Sequence, residues 1–85
     1  MTKHAIELQM LANEIRAEGY TRTRVLPDGS IAGIHDLIYT RAIYLGLHRD
    51  GFTRRFCFED RALADQRFDE LKTEDDTPQG AIARR

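Results

Sequence analysis

One cysteine, Cys57, and three histidines are the residue types in this sequence that nucleophilic catalysis most readily uses. In the predicted sheet Cys57 shares a face with His48, but about four strand positions, roughly 13 Å, separate the two side chains. That separation exceeds hydrogen-bonding reach, so we interpret Cys57 as a small packing residue. His35 and Asp36 are adjacent in the chain, and adjacent strand residues point to opposite faces of a sheet. The sequence therefore predicts no catalytic pair.

Metal ligation has no better support than catalysis. The histidines and Cys57 lack the close, paired spacing of zinc sites. The acidic run Glu74-Asp75-Asp76 lacks the alternating ligands of a calcium loop. The glycines at positions 46 and 51 form no phosphate-binding motif. We therefore predict a protein that is not an enzyme and that binds no metal and no cofactor.

Arginines dominate the basic residues and are unevenly placed along the chain. Eleven arginines accompany two lysines, and guanidinium groups bind phosphate and carboxylate bidentately, although genomic codon usage also explains such a bias. Between residues 20 and 58, six arginines against three aspartates give a formal charge of +3. Between residues 59 and 76, eight acidic residues against three basic ones give −5. This division predicts a basic sheet beside an acidic helix.

Two candidate binding surfaces follow from this division of charge. Cations interleaved with aromatic rings suit single-stranded nucleic acid, and arginine and tyrosine also dominate the hot spots of protein interfaces. A net charge of −1 and the acidic helix weigh against nucleic acid. The predicted binding residues are Arg22, Arg24, Arg41, Tyr44, His48 and Arg55 on the sheet, and Asp69 and Glu70 on the acidic helix.

One small α+β domain spanning residues 1–85 must position these side chains. Eighty-five residues, 41% of them hydrophobic, suit a single domain with a modest core. Apolar residues at helical spacing predict one helix over about 3–18 and a second, beginning at Asp60, over about 60–72. The predicted order is α-β-β-β-α, followed by a tail over 73–85 in which residues 81–83 form a candidate last strand.

Two Asp-Gly pairs predict β-hairpins that turn at residues 28–29 and 50–51. These turns pair Val25 with Ala32 and Leu45 with Phe56, and the longest extended run, 37–48, becomes the central strand. The result is an antiparallel meander, and we expect both helices to cover its core face. Register divides the second hairpin into a core face of Ile43, Leu45, Leu47, Phe56 and Phe58 and a working face of Tyr44, His48, Thr53 and Arg55.

The expected compartment is the cytoplasm of a host cell. The longest apolar stretches are far shorter than the roughly 20 residues of a membrane-spanning helix, and no secretory signal is visible. A single cysteine fits a reducing compartment. We therefore expect no membrane partner.

Several short motifs lie between residues 31 and 82. They include Ile31-Ala32-Gly33-Ile34-His35, Leu45-Gly46-Leu47, Asp76-Thr77-Pro78-Gln79-Gly80 and, above all, the arginine-aromatic-cysteine-aromatic string Arg55-Phe56-Cys57-Phe58. In these motifs the chain resembles a group of short uncharacterised proteins of proteobacteria, their phages and mobile elements. It departs from the group at Leu71-Lys72-Thr73 and at Ala81, where the resemblance implies a tryptophan. The resemblance implies a setting in which small proteins bind and block host machinery, anti-CRISPR proteins among them.

The leading hypothesis is a non-enzymatic interaction protein of phage or mobile-element type. It binds a host protein complex and inhibits a nucleic-acid-targeting defence system. One alternative is a small nucleic-acid-binding protein that uses Arg22, Arg24, Arg41 and Arg55. The other is a structural homodimer built by edge-strand pairing. The sequence names neither the partner nor the oligomeric state.

Overall fold

The computed structural model describes residues 3–82, with the side chains of residues 5–82, and it contains six regular elements. They are α1 (Lys3–Ala17), β1 (Arg22–Val25), β2 (Ile31–Asp36), β3 (Arg41–Leu45), β4 (Arg54–Phe58) and α2 (Arg61–Glu70). The strands form one antiparallel sheet in the order β1-β2-β3-β4. The predicted α+β domain with an antiparallel meander is confirmed, with four strands before α2 where three were predicted.

The two helices lie on opposite faces of the sheet, so the prediction that both would cover one face is wrong. Phe68 of α2 packs in a cluster with Ile43, whereas Ile15 of α1 packs in a second cluster with Tyr44. Because consecutive strand residues point to opposite faces, Ile43 and Tyr44 give both sides of β3 an apolar surface. Each face therefore needs its own cover, and we call the two surfaces the α1 face and the α2 face.

The α2 face carries the larger core. Phe58 of β4 and Phe68 of α2 are both fully buried there. As predicted, the apolar residues of β3 and β4 share this face, on which the buried cluster and the side chains packed against it include Ala32, Ile34, Ile43, Leu45, Phe56, Ala64 and Leu71.

The register of β3 and β4 differs from the predicted one by two residues. Leu45 pairs with Arg54 in place of Phe56, and Tyr44 pairs with Arg55. Because side chains alternate with a period of two, a shift of two residues leaves every strand residue on its predicted face. In the first hairpin Val25 pairs with Ile31, since Leu26 N–H donates to the Ser30 carbonyl and lengthens the turn.

The predicted central strand 37–48 is interrupted at both ends. A tight turn closes at its start, where Leu37 N–H donates to the Thr40 carbonyl at 2.8 Å. At the other end β3 stops before Gly46, whose φ of 68° lies in the left-handed region that favours glycine. This turn directs Leu47 to the α1 cluster, although the sequence placed it on the core face with Leu45.

Helix α2 begins at a side-chain cap and ends in a long irregular segment. The Asp60 carboxylate accepts from Leu63 N–H at 3.1 Å, which satisfies one free donor of the first turn. Residues 71–82 then run back beside β4, where Ile82 N–H donates to the Cys57 carbonyl at 2.8 Å. Residues 81 and 82 are not a strand, and the remainder of the predicted last strand lies outside the described residues. No helix within residues 3–82 is long and apolar enough to cross a membrane.

Candidate functional site

Arg22 and Arg24 of β1 reach across the α2 face to the end of α2. Their guanidinium carbons lie 5.0 and 5.5 Å from the centre of the Phe68 ring, within cation–π distance. Arg22 also pairs with Asp69 at 2.7 Å. Arg24 donates to the carbonyls of Phe68 and Leu71, the latter at 3.3 Å, and the Phe68 carbonyl also accepts from Leu71 N–H. Both arginines already bind groups of this chain.

Arg41 lies at the centre of an ion-pair network. Its Nε donates to Asp36 at 2.7 Å, and its Nη1 contacts both oxygens of Asp65 at 2.7 Å. Arg61 adds a contact of 3.0 Å to Asp36. The hydrogen bond from Arg41 holds the pKa of Asp36 below its usual range, and the two carboxylates raise the pKa of Arg41. We call Asp36, Arg41, Arg61 and Asp65 the ion-pair network.

Tyr44 is buried on the α1 face within a row of aromatic rings. Its ring centre lies 5.3 Å from that of Tyr20 and 4.8 Å from that of Phe52, with near-perpendicular ring planes. Burial, followed by the neighbouring Tyr44 and Glu18, raises the pKa of Tyr20. With 7% of its surface exposed, Tyr44 acts as a core residue and not as a free binding side chain.

Arg55 lies opposite Tyr44 and is half-buried. Its Nε is buried without a hydrogen-bond partner in the described part of the chain. The neighbouring Arg54 points to the α2 face and donates to the carbonyls of Glu74 and Asp76, the latter at 2.8 Å. Of this arginine pair, Arg54 anchors the segment that follows α2, and Arg55 has a buried Nε without a partner among the described residues.

His48 is exposed in the loop between β3 and β4, away from the arginines of the α2 face. Its Nδ1 accepts from Asp50 N–H at 3.2 Å, and its backbone pairs with Gly51. The adjacent Arg49 forms an ion pair of 2.6 Å with Glu14 of α1. The structure therefore does not bring His48 together with Arg55, and the predicted working face is not one continuous surface.

The two acidic candidates on α2 are exposed and paired within the chain. Asp69 contacts Arg22 at 2.7 Å, and Glu70 contacts Arg67 at 2.9 Å, three residues earlier on the same helix. Neither contact buries the carboxylate. Both remain on the surface, with part of their charge already balanced.

Among the side chains of residues 5–82, Cys57 does not lie beside His35, and no set of metal ligands is grouped. Cys57 is half-buried on the α1 face, and the residue across from it is Ala42. His35 pairs with Ala42 from the other side, so two strand spacings, about 10 Å, separate His35 from Cys57. Within the described residues no three His, Cys, Asp or Glu side chains are grouped closely enough to hold a metal ion.

The sequence analysis did not single out the two most exposed large apolar side chains among residues 5–82. Ile38 and Tyr39 occupy the two central positions of the turn between β2 and β3, and they are 83% and 86% exposed. We call this pair the hairpin tip. Both residue types favour strands, so no local pattern indicates a turn there. A second missed feature is Asp28, which accepts from Glu74 N–H at 2.8 Å and ties the first hairpin to the segment after α2.

Comparison with known proteins leaves this geometry as the available guide to function. No family model, no curated protein and no solved structure matches the chain.

Proposed function

We propose that this chain is a non-enzymatic interaction protein that binds a host protein complex. The observation that carries the proposal is the contrast between its arginines and its exposed apolar side chains. Arg22, Arg24 and Arg41 are engaged with acceptors of the same chain. In contrast, Ile38 and Tyr39 are almost fully exposed and have no role in the core.

The same contrast disfavours a single-stranded nucleic-acid platform. Such platforms combine free cations that follow the backbone with exposed rings on which bases stack. Here the ring of Tyr44 is buried, and the arginines around Phe68 face an acidic helix. Arginines that are already paired within the chain neutralise few phosphates, so binding would release few of the counterions condensed on a nucleic acid.

The role as an inhibitor of a nucleic-acid-targeting defence system is a further part of the proposal. Its support is the resemblance of residues 31–82 to small proteobacterial and phage proteins. The acidic carboxylates of α2, with Asp69 and Glu70 exposed, add an electrostatic argument. A negative surface of this kind complements a basic groove that otherwise holds nucleic acid.

An affinity-capture experiment tests the protein-binding role. The folded chain, immobilised on beads, is expected to retain a defined set of proteins from a proteobacterial lysate. A thermally unfolded sample, immobilised at the same density, is expected to lose them. Recovery of nothing above background by the folded protein would contradict the proposal.

A titration of labelled single-stranded oligonucleotides at 50 and 200 mM salt tests the nucleic-acid alternative. We expect no saturable binding at either concentration, because the arginines are engaged within the chain. Saturable binding at low salt that weakens at high salt would replace the proposed function with nucleic-acid binding. Light scattering on the same sample tests the homodimer alternative through the molecular mass in solution.

A further inference from the structure

The hairpin tip departs from the usual composition of a tight turn. Turn positions favour Gly, Pro, Asn, Asp and Ser, each for a backbone reason. No non-glycine residue in the described part of the chain has a positive φ, so Ile38 and Tyr39 serve no special backbone geometry. Both side chains extend into solvent. Residues that oppose the local conformational preference without a structural gain are typical of functional sites.

The base of the tip is held in one geometry by the ion-pair network. Asp36 and Arg41 form the last residue pair of the β2–β3 ladder, and two hydrogen bonds join their side chains, at 2.7 and 3.3 Å. Asp65 and Arg61 connect this pair to α2. A loop held in its binding geometry before the partner arrives loses less conformational entropy on association.

We infer that Ile38 and Tyr39 are the docking element of this protein and insert into an apolar pocket of a partner protein whose rim is basic. This inference rests on the proposed function, because it names the surface and the chemistry of the partner. The pocket takes a branched aliphatic side chain and a phenol. Its floor supplies an acceptor for the Tyr39 hydroxyl, since a buried tyrosine O–H is normally hydrogen-bonded.

The size of the tip argues against a second copy of the chain as the occupant. A large aromatic side chain buries about 150–250 Å² when it is fully enclosed. Two tips meeting each other would therefore bury well under the roughly 800 Å² per partner of a stable interface. A pocket increases the buried area by surrounding the tip with its own walls, so insertion fits this shape better than tip-to-tip contact.

The charge around the tip indicates a basic rim. Strand β4 ends at Phe58 opposite Arg41, which brings Glu59 and Asp60 to the same end of the sheet. With these two residues the ion-pair network has two cations and four carboxylates, a net charge of −2. This negatively charged group of residues complements lysines and arginines on the rim of a partner's pocket. It is repelled by an anionic lipid surface, which attracts basic segments.

Site-specific photocrosslinking in growing proteobacterial cells tests the inference. A photoreactive phenylalanine replaces Tyr39 in one variant and Met10, 58% exposed on α1, in a matched control. We expect a discrete crosslinked protein at position 39 that is absent at position 10. The captured protein is then purified, and its affinity is measured for the wild type, Ile38→Ser and Tyr39→Ala. The matched control is Ile6→Ser, because Ile6 is also exposed but lies on α1.

The expected result is at least a tenfold loss of affinity for each tip variant and less than a twofold loss for Ile6→Ser. The unfolding midpoint of all three variants should match that of the wild type. Crosslinking at position 10 with none at position 39 would overturn the tip inference and leave the protein-binding function standing. Absence of crosslinks at both positions would contradict both. A product of twice the chain mass, or flotation with anionic phospholipid vesicles, would replace the proposed partner with a second copy or a membrane.

Discussion

The two faces of the sheet are built in different ways. On the α2 face, α2 packs on β2, β3 and β4, and arginines of β1 cover the remaining edge of Phe68. On the α1 face, α1 packs on β1 and β2, and its Ile15 lies in one cluster with Tyr44 of β3. The β3–β4 half of that face is covered by the rings of Tyr44 and Phe52, and Phe52 is 42% exposed.

This difference assigns most of the stability of the domain to one face of the sheet. Buried apolar area and charge-assisted hydrogen bonds are concentrated on the α2 face, so that face should determine the free energy of unfolding. The α1 face has a smaller cluster and contains Arg55, whose Nε has no hydrogen-bond partner within the described part of the chain. Substitutions that remove equivalent groups from the two faces measure the contrast directly.

The largest effect is expected for Phe68→Ala. Phe68 is fully buried on the α2 face and also supports the guanidinium groups of Arg22 and Arg24. Removing its ring should lower the free energy of unfolding by about 3–5 kcal/mol. The matched change Phe52→Ala should cost about 1 kcal/mol, because it removes one partly exposed ring contact. Urea denaturation of both variants measures the difference, and equal losses would contradict the comparison.

The next effect compares two neighbouring residues of β1 that point to opposite faces. Arg24→Met removes charge-assisted bonds to the carbonyls at the end of α2 and should cost about 1.5–3 kcal/mol. Thr23→Val removes one neutral bond, from Thr23 Oγ1 to the Ala12 carbonyl at 2.9 Å, and should cost about 1 kcal/mol. Chemical denaturation again gives both values. A larger loss for Thr23→Val would show that the helix on the α1 face is the more tightly held.

Gly46→Ala tests the turn after β3, because the side chains on either side of it pack on opposite faces of the sheet. Leu45 belongs to the cluster of the α2 face and Leu47 to that of the α1 face, and Gly46 lies between them with a φ of 68°. An L-residue in this conformation costs about 1–2 kcal/mol, and the added Cβ would also clash with the side chains of Thr53 and Glu74. The unfolding midpoint should fall accordingly, and the intensity of Tyr44 ring NMR contacts to Leu47 should fall with it. An unchanged midpoint would show that the turn has another conformation available.

The smallest effect is a loss of stability at acid pH, which we expect to begin on the α2 face. Hydrogen bonds hold the pKa of Asp36 below its usual range, mainly that from Arg41, and backbone N–H donors do the same for Asp76. Because these folded-state values lie below the unfolded aspartate value of about 3.9, their stabilisation is present above that pH and is lost as pH falls through the folded-state values. The urea midpoint should therefore be level from pH 8 to pH 5 and decline below about pH 4.

Hydrogen exchange locates that loss. As the pH falls below 4, amide protection in α2 and in residues 71–76 should decline before protection in α1, after correction for the intrinsic pH dependence of exchange. Asp76→Asn is the control, since it removes a carboxylate that accepts from Lys72 N–H and Thr73 N–H. That variant should show a weaker pH dependence than the wild type. Simultaneous loss of protection in both helices would contradict the assignment to the α2 side.

The sequence predicts side-chain alternation well and long-range placement poorly. The face of each residue in β3 and β4 follows from a period of two, and it is correct even though the register is shifted by two. Which helix covers which face does not follow, because the apolar stripe of α1 fits either side of a sheet. The pairing of Arg22 with Asp69 joins residues 47 positions apart, a contact that no local pattern encodes.

The same limit explains what was missed at the candidate site. Ile38 and Tyr39 lie in a run of strand-forming residues, so periodicity alone extended the central strand through them. Only the closure between Leu37 and Thr40 shows that they form a turn. Guanidinium groups bind carboxylates, and the carboxylates that Arg22 and Arg41 contact in this structure belong to the same chain.

The backbone contact between Ile82 and Cys57 bears on how many molecules can associate through their sheets. It occupies an acceptor on the outer side of β4, so that edge is covered by the molecule's own residues 80–82. Among the described residues β1 and β4 are the two edges of the sheet, and β4 is the edge beside which residues 80–82 lie. A sheet with one free edge strand can pair with one other sheet, whereas a linear assembly requires two free edge strands on each molecule. With this acceptor occupied, we expect strand-mediated association between two molecules to use β1 and not β4.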